Sequence, residues 1–264
     1  MYDTTYYRAS SVSDATSKLA GTEDGKFLAG GQTLIPTMKQ RLAAPSDLVD
    51  VSGIDALKNI SVDGDVLTIG AACTHAQVAG SSEVAQAIPA LAGLAGGIGD
   101  PAVRARGTIG GSIANNDPAA DYPAACLGLG ATIVTDTREI PADEFFVGMF
   151  ETALEEGEMV TAVKFPKPAK AGYAKFPNPA SRYAMVGVMA AQTANGVRVA
   201  VTGAGNDGVF RHNALEEALG ANWSAEATQG VATDADDMLS DIHGSAEYRA
   251  HLVAVMAGRA VDNS

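Results

Sequence analysis

The chain has 264 residues, 47% of them hydrophobic and 19% charged, enough to bury real cores and too apolar for a disordered segment. A formal net charge of -13 excludes a sequence-independent nucleic-acid binder, which needs a basic face. Two cysteines, Cys73 and Cys126, cannot supply a four-cysteine cluster or zinc site, and they read as small buried hydrophobes of a reducing compartment.

The first region is expected to run over residues 1–54. Ser13 to Leu19 reads as a short helix, and Lys26-Phe27-Leu28-Ala29 as an apolar strand stopped by Gly30-Gly31. A second helix follows from Thr33 through Arg41, with Pro36 tolerable in its first turn, and Leu48 to Val51 reads as a strand. The unit is strand, glycine turn, helix, strand.

The second region covers 55–168. Val62 to Gly70 predicts a hairpin turning at Asp63-Gly64-Asp65, and Thr74 a helix cap. Ala85 to Ile98 reads as a helix cut at Gly96-Gly97, before a glycine-rich stretch from Gly107 to Asp121. The run through Ala125 fits either helix or strand, and Ala131–Thr135 and Val160–Phe165 fit strands. The third region, 172–264, opens on the alternating Val197, Val199 and Val201. It ends in a helix from Ala246 to Ala260, with Tyr248, Leu252, Val255 and Met256 expected on one face.

Paired glycines after a strand let the backbone turn sharply and present successive N–H groups to a ligand, because no Cβ obstructs the approach. A helix starting just after them adds the positive end of its dipole. Ala29-Gly30-Gly31-Gln32-Thr33 is one such turn, with Thr33 supplying a hydroxyl. Gly107-Thr108-Ile109-Gly110-Gly111-Ser112 is a second, followed by Asn115, Asn116, Asp117 and Asp121, which can hold ribose hydroxyls or ring edges. Two such nests suit the two phosphates of one dinucleotide. Neither turn has the Gly-x-Gly-x-x-Gly register of a Rossmann site, and no P-loop lysine is present.

The runs Lys26 to Pro36 and Arg106 to Ala114 resemble the two flavin-binding signatures of the molybdenum hydroxylase family, specifically the medium, FAD-binding subunit of carbon monoxide dehydrogenase and xanthine dehydrogenase type enzymes. Ile69-Gly70-Ala71 before Thr74-His75, Asn116 to Pro123, and Pro179 to Ala184 extend the likeness in the same order.

The resemblance implies an α+β chain. Two subdomains would form an FAD-binding fold of the vanillyl-alcohol oxidase (PCMH) type, followed by a small C-terminal α+β domain. It implies FAD contacts at Lys26, Leu28, Ala29, Gly30, Gly31, Gln32, Thr33 and Leu34. From the second signature it implies Gly107, Thr108, Ile109, Gly110, Gly111, Ser112, Asn116, Asp117 and Asp121. Val160, Lys175 and Tyr183 would lie near the ring or adenosine, with Tyr183 against the isoalloxazine face.

It also implies a large molybdenum-cofactor subunit, a small [2Fe-2S] subunit, a dimer of heterotrimers and an external electron acceptor. Substrate oxidation (of carbon monoxide, an aldehyde or an N-heterocycle) would occur on the partner. A stand-alone flavin oxidoreductase and a non-catalytic flavin-binding or assembly protein are the alternative readings.

Two places depart from the family pattern: the Asp136-Thr137 turn, and Pro177 where a basic residue is common. His75, after Thr74, reads as a structural hydrogen-bonding residue rather than a catalytic one, and no histidine spacing or Gly-x-Ser-x-Gly elbow supports metal or hydrolase chemistry. Met1-Tyr2-Asp3 opens no secretory signal, and no apolar run of about 18 residues occurs, so a cytoplasmic chain without a membrane span is expected.

Overall fold

In the computed structural model, which describes residues 1–264, the three larger of four sheets are the centres of three hydrophobic cores. The N-terminal layer holds β1 (Thr5–Arg8), α1 (Val12–Ala20), β2 (Gly25–Leu28), α2 (Leu34–Lys39) and β3 (Asp47–Asp50). Its strands are parallel in the order β1-β3-β2. Ser11 caps α1 by accepting from the Asp14 amide. The strand, turn, helix and strand expected here all form.

The second layer is larger. It contains β4 (Ile60–Asp63), β5 (Val66–Gly70), α3 (His75–Gly80), α4 (Ser82–Ala87), α5 (Pro89–Gly96), α6 (Pro101–Arg106), α7 (Ile109–Asn115) and α8 (Asp121–Leu129). Then come β6 (Thr132–Thr135), β7 (Glu139–Pro141), α9 (Ala142–Phe145), the hairpin β8 (Phe146–Gly148) and β9 (Glu151–Thr152), and β10 (Val160–Pro166). The antiparallel sheet runs β4-β5-β10-β6-β7. Thr74 closes a full capping box on α3 with Gln77.

The helix expected over Ala85–Ile98 is two helices. Pro89 cannot donate to a preceding turn, so α4 stops at Ile88 and α5 begins with proline in its first turn. Every residue of α8 is buried, which leaves no polar stripe and explains why periodicity could not separate helix from strand there.

The C-terminal layer is a four-stranded antiparallel sheet, β11 (Lys170–Pro177), β12 (Ala184–Thr193), β13 (Gly196–Gly205) and β14 (Gly208–Arg211), with α10 (Asn213–Ala221) and α11 (Ala246–Asp262). β12 is buried on both faces. Val186, Val188 and Ala190 join the core under α11, whereas Met189 and Ala191 join the core of the second layer, around α8. The buried stripe of α11 is Arg249, Leu252, Val253, Met256, Ala257 and Ala260. Tyr248 lies off that stripe, 42% exposed, with its ring edge-on to Phe176, and Val255 is only partly buried.

Both cysteines are free and buried; burial pushes the Cys73 thiol up to about 11 and Cys126 higher still, so both are inert thiols. No helix is long and apolar enough to cross a membrane.

Candidate functional site

A cavity of about 930 Å³ opens where the first two layers meet the C-terminal one. The first glycine turn forms one wall. There the consecutive amides of Ala29 through Leu34 donate no hydrogen bond within the chain. Such a row of unspent donors, beside the free Thr33 hydroxyl, is a ready cradle for anionic oxygens. Gly31 turns the chain at φ +71, and Gly30 lets it pass so close to the second turn that a Cβ there would sit 2.1 Å from the Arg106 carbonyl oxygen. The two turns therefore touch.

The second turn works differently from the expectation. Its amides are mostly spent: Ile109 N–H donates to the Cys73 carbonyl, Gly110 N–H to the Ala71 carbonyl and Gly111 N–H to the Thr108 hydroxyl. Only the Thr108 amide is unpaired. Gly110 is needed for packing, because a Cβ there would lie 2.5 Å from that of Ala71. The hydroxyls of Thr108 and Ser112 and the open face of Gly111 are what this turn presents to the cavity.

Of the residues expected around a cofactor, all but Ile109, Asn116 and Lys175 line this cavity. Ile109 is fully buried in the core. Asn116 ends α7 in the left-handed conformation, and its amide Nδ2 donates to the Gly148 and Glu151 carbonyls, pinning the β8–β9 hairpin rather than holding ribose. Lys175 stands behind the wall, its Nζ 2.9 Å from the Asp121 carboxylate and 2.9 Å from the Gly97 carbonyl. Tyr173 donates its hydroxyl to the same Asp121 oxygen at 2.6 Å. Burial pushes the Asp121 carboxyl up, against the pull of Lys175 and Tyr173.

Tyr183 is 51% exposed at the rim, on a tight loop closed by Asn178 N–H donating to its carbonyl. Partial burial and the nearby Asp117 and Asp121 carboxylates raise its phenol.

Several wall residues escaped the sequence reading: Ile98, Asp100, Val103, Glu158, Met159 and Arg182. No local pattern marks them, since they reach the cavity from three separate segments, one of them including the helix α6. His75 also lines the wall. Its backbone amide donates to Gly107, but its ring makes no hydrogen bond, contrary to the structural bond expected of it.

The Asp136-Thr137 turn now has a reason. It joins β6 to β7 and is gripped by Glu158, which accepts from the Thr135 and Thr137 hydroxyls, from Arg138 Nε and Nη2, and from the Glu155 amide. Asp136 in turn accepts from the Met159 amide, so the turn braces the segment carrying Glu158, Met159 and Val160 into the cavity. The Arg138 guanidinium and these donors lower Glu158 from 4.5 to about 2. Its stabilising effect is therefore full above pH 4.5 and lost as pH falls through about 2. Glu158→Gln is expected to lower the melting temperature by a few degrees and to flatten the acid limb of stability against pH. An unchanged acid limb in thermal melts between pH 2 and 5 would show that the grip contributes nothing.

Residues 2–168 match the family model described as the FAD binding domain in molybdopterin dehydrogenase, and residues 171–264 match the CO dehydrogenase flavoprotein C-terminal domain. The chain belongs to the FAD-binding medium-subunit family of molybdenum hydroxylases.

Among members of this family, it is 36% identical to the nicotine 6-hydroxylase medium subunit of Paenarthrobacter nicotinovorans, over 97% of this chain and 95% of the relative. It is 33% identical to the carbon monoxide dehydrogenase medium chain of Hydrogenophaga pseudoflava, again over 97% of this chain and 95% of the relative. A solved Cu,Mo-CO dehydrogenase superposes with a TM-score of 0.88 at 32% identity, covering 100% of this chain and 98% of that one.

The family makes it an oxidoreductase subunit with FAD as its cofactor. The residues fit that group: the unspent amide row suits a pyrophosphate, and the cavity is within the range of about 300–1,000 Å³ usual for cofactor sites.

Proposed function

We propose that this medium subunit is the electron relay of a molybdenum-dependent dehydrogenase, taking electrons from iron–sulfur clusters on a small partner and passing them through FAD to an external acceptor. The observation that carries the reading is the convergence of two glycine turns, one with its amides unspent, on a single cavity in a chain of this family. FAD supplies the redox chemistry when bound, accepting electrons singly or in pairs.

The chain's own residues bind and shield. The Ala29–Leu34 amides and the Thr33, Thr108 and Ser112 hydroxyls are assigned to the pyrophosphate. Lys26, Leu28 and Val160 are assigned to the adenosine side, and Asp117, Asp121 and Tyr183 to the ring side, where Tyr183 would limit solvent access. On this reading residues 1–54 and 55–168 are the two halves of the FAD site, and 172–264 is the cover that carries Tyr183's neighbours β11 and β12.

No cluster of His, Cys, Asp or Glu able to hold a metal is gathered in the chain. Substrate oxidation is therefore assigned to a large molybdenum-cofactor partner, in a cytoplasmic dimer of heterotrimers. Related medium chains serve complexes named for nicotine, carbon monoxide and glyceraldehyde at 36%, 33% and 31% identity. Relatives named for different substrates thus match this chain over nearly its whole length at similar identity, as expected if the partner chooses the substrate.

The test is to co-purify the chain with the products of its neighbouring genes and record the visible spectrum with metal analysis. Flavin together with molybdenum and iron is expected; flavin without either metal would overturn the relay reading.

A further inference from the structure

His75 is 5% exposed, sits in the cavity wall, and is the first residue of α3. Its position is fixed by the Thr74 capping box and by its own amide, which donates to the Gly107 carbonyl at 2.9 Å. The ring then lies along Gly107: a Cβ on that glycine would be 2.5 Å from Nε2 and 2.8 Å from Cδ2. Gly107 is also the residue against which Gly30 packs, a Cβ on Gly30 lying 2.8 Å from the Gly107 Cα. The Nε2 edge of His75 is therefore at the junction of the two turns, next to the unspent amide row. Neither ring nitrogen has a hydrogen-bond partner in the chain, and Nδ1 is wholly buried. Buried polar atoms without partners are rare and call for a reason.

We propose that His75 is a further FAD-binding residue, whose Nε2–H donates to the pyrophosphate held at the junction of the two glycine turns. The proposal rests on the FAD reading of this cavity. An orphaned buried N–H is rarer than an under-used acceptor, so the proton belongs on Nε2 and the bare lone pair on the enclosed Nδ1.

The groups facing the ring agree. Tyr122 of α8 packs its ring at 5.4 Å, and Arg104 of α6 brings a positive charge. Burial, with Arg104, lowers the imidazole from 6.5 to about 4, so His75 acts as a neutral donor at neutral pH.

The experiment uses the full chain, stripped of flavin and labelled with 15N-histidine, titrated with FAD, ADP and riboflavin. The His75 signals, assigned by their loss in His75→Asn, are expected to shift with FAD and with ADP. The ring should also titrate at higher pH in both complexes, because the added phosphate charge favours the imidazolium.

In binding titrations His75→Leu should weaken FAD and ADP about 10- to 100-fold, as for a hydrogen bond to a charged group, with riboflavin unaffected. His75→Asn should recover part of the loss. FAD bound normally while the His75 signals stay unmoved would overturn this proposal alone, and the wild-type measurement decides it even if a variant fails to fold. A loss confined to riboflavin would overturn the pyrophosphate placement. No FAD binding by the wild-type chain would overturn the cavity reading itself, and this proposal with it.

Discussion

Gly30→Ala is expected to strip the chain of FAD while leaving its three layers folded. The added methyl would meet the Arg106 carbonyl oxygen at 2.1 Å, its carbon at 2.7 Å and the Gly107 Cα at 2.8 Å. All three are backbone atoms, so no side chain can swing aside, and the turns must part by about 1 Å. The Ala29–Leu34 amides move with that wall, away from the second turn's hydroxyls. Hydrogen bonds to charged groups are worth about 1.5–3 kcal/mol each, so losing two weakens binding at least about 100-fold. Flavin absorbance per chain after purification, with circular dichroism as the folding control, measures it. A folded variant with full flavin would overturn the assignment of this wall to the pyrophosphate.

Two neighbours sharpen the expectation. Gly31→Val places a β-branched residue at φ +71, which strains the backbone whatever space is available, so both folding and FAD retention should suffer. Gly111→Val sits in an ordinary helical conformation, its nearest atoms being the Thr108 hydroxyl at 3.0 Å and the Ala29 Cβ at 4.0 Å. There the side chain enters the gap between the turns, so FAD should be lost from a chain that melts much as the wild type does.

These contrasts show what the sequence could and could not disclose. Local signals were legible: the apolar Phe27-Leu28 before paired glycines, the Asp63-Gly64 hairpin and the Thr74 cap all form as read. Two glycine pairs look alike as letters, yet Gly30-Gly31 leaves its amides free while the Gly110 amide goes to the distant Ala71 carbonyl. Which partner reaches an amide is a tertiary fact, and spacing does not encode it. The same holds for His75, whose surroundings depend on Gly107 and Tyr122 arriving from distant parts of the chain. The six-residue α6, none of whose residues is buried, was too short to show a pattern. The Asp136-Thr137 turn was visible as a departure, but its purpose needed Glu158, which reaches it from a separate loop.

The buried pair of Asp121 and Lys175 carries the other large effect. Lys175→Met should destabilise the chain by about 3–5 kcal/mol, because it leaves a buried carboxylate without a counter-charge, the Tyr173 hydroxyl its remaining side-chain partner. At about 2–4 °C for each kcal/mol, the thermal shift is easily read. The pair joins the start of α8 and the end of α5 to β11, so it ties the C-terminal layer to the cavity wall. Removing both charges with Asp121→Asn/Lys175→Met should restore most of the stability, since the pair's attraction is largely offset by its desolvation. The pH dependence gives the sharper check. Burial already holds the Asp121 carboxyl above its ordinary value, and without Lys175 it rises further. The folded state then binds a proton that the unfolded chain releases, so stability falls as pH rises through that range. The Lys175→Met defect should therefore be greatest at neutral pH and shrink toward pH 4. A defect that is constant with pH, or a double variant weaker than the single, would mean that Lys175 acts through packing of its aliphatic stem rather than through its charge.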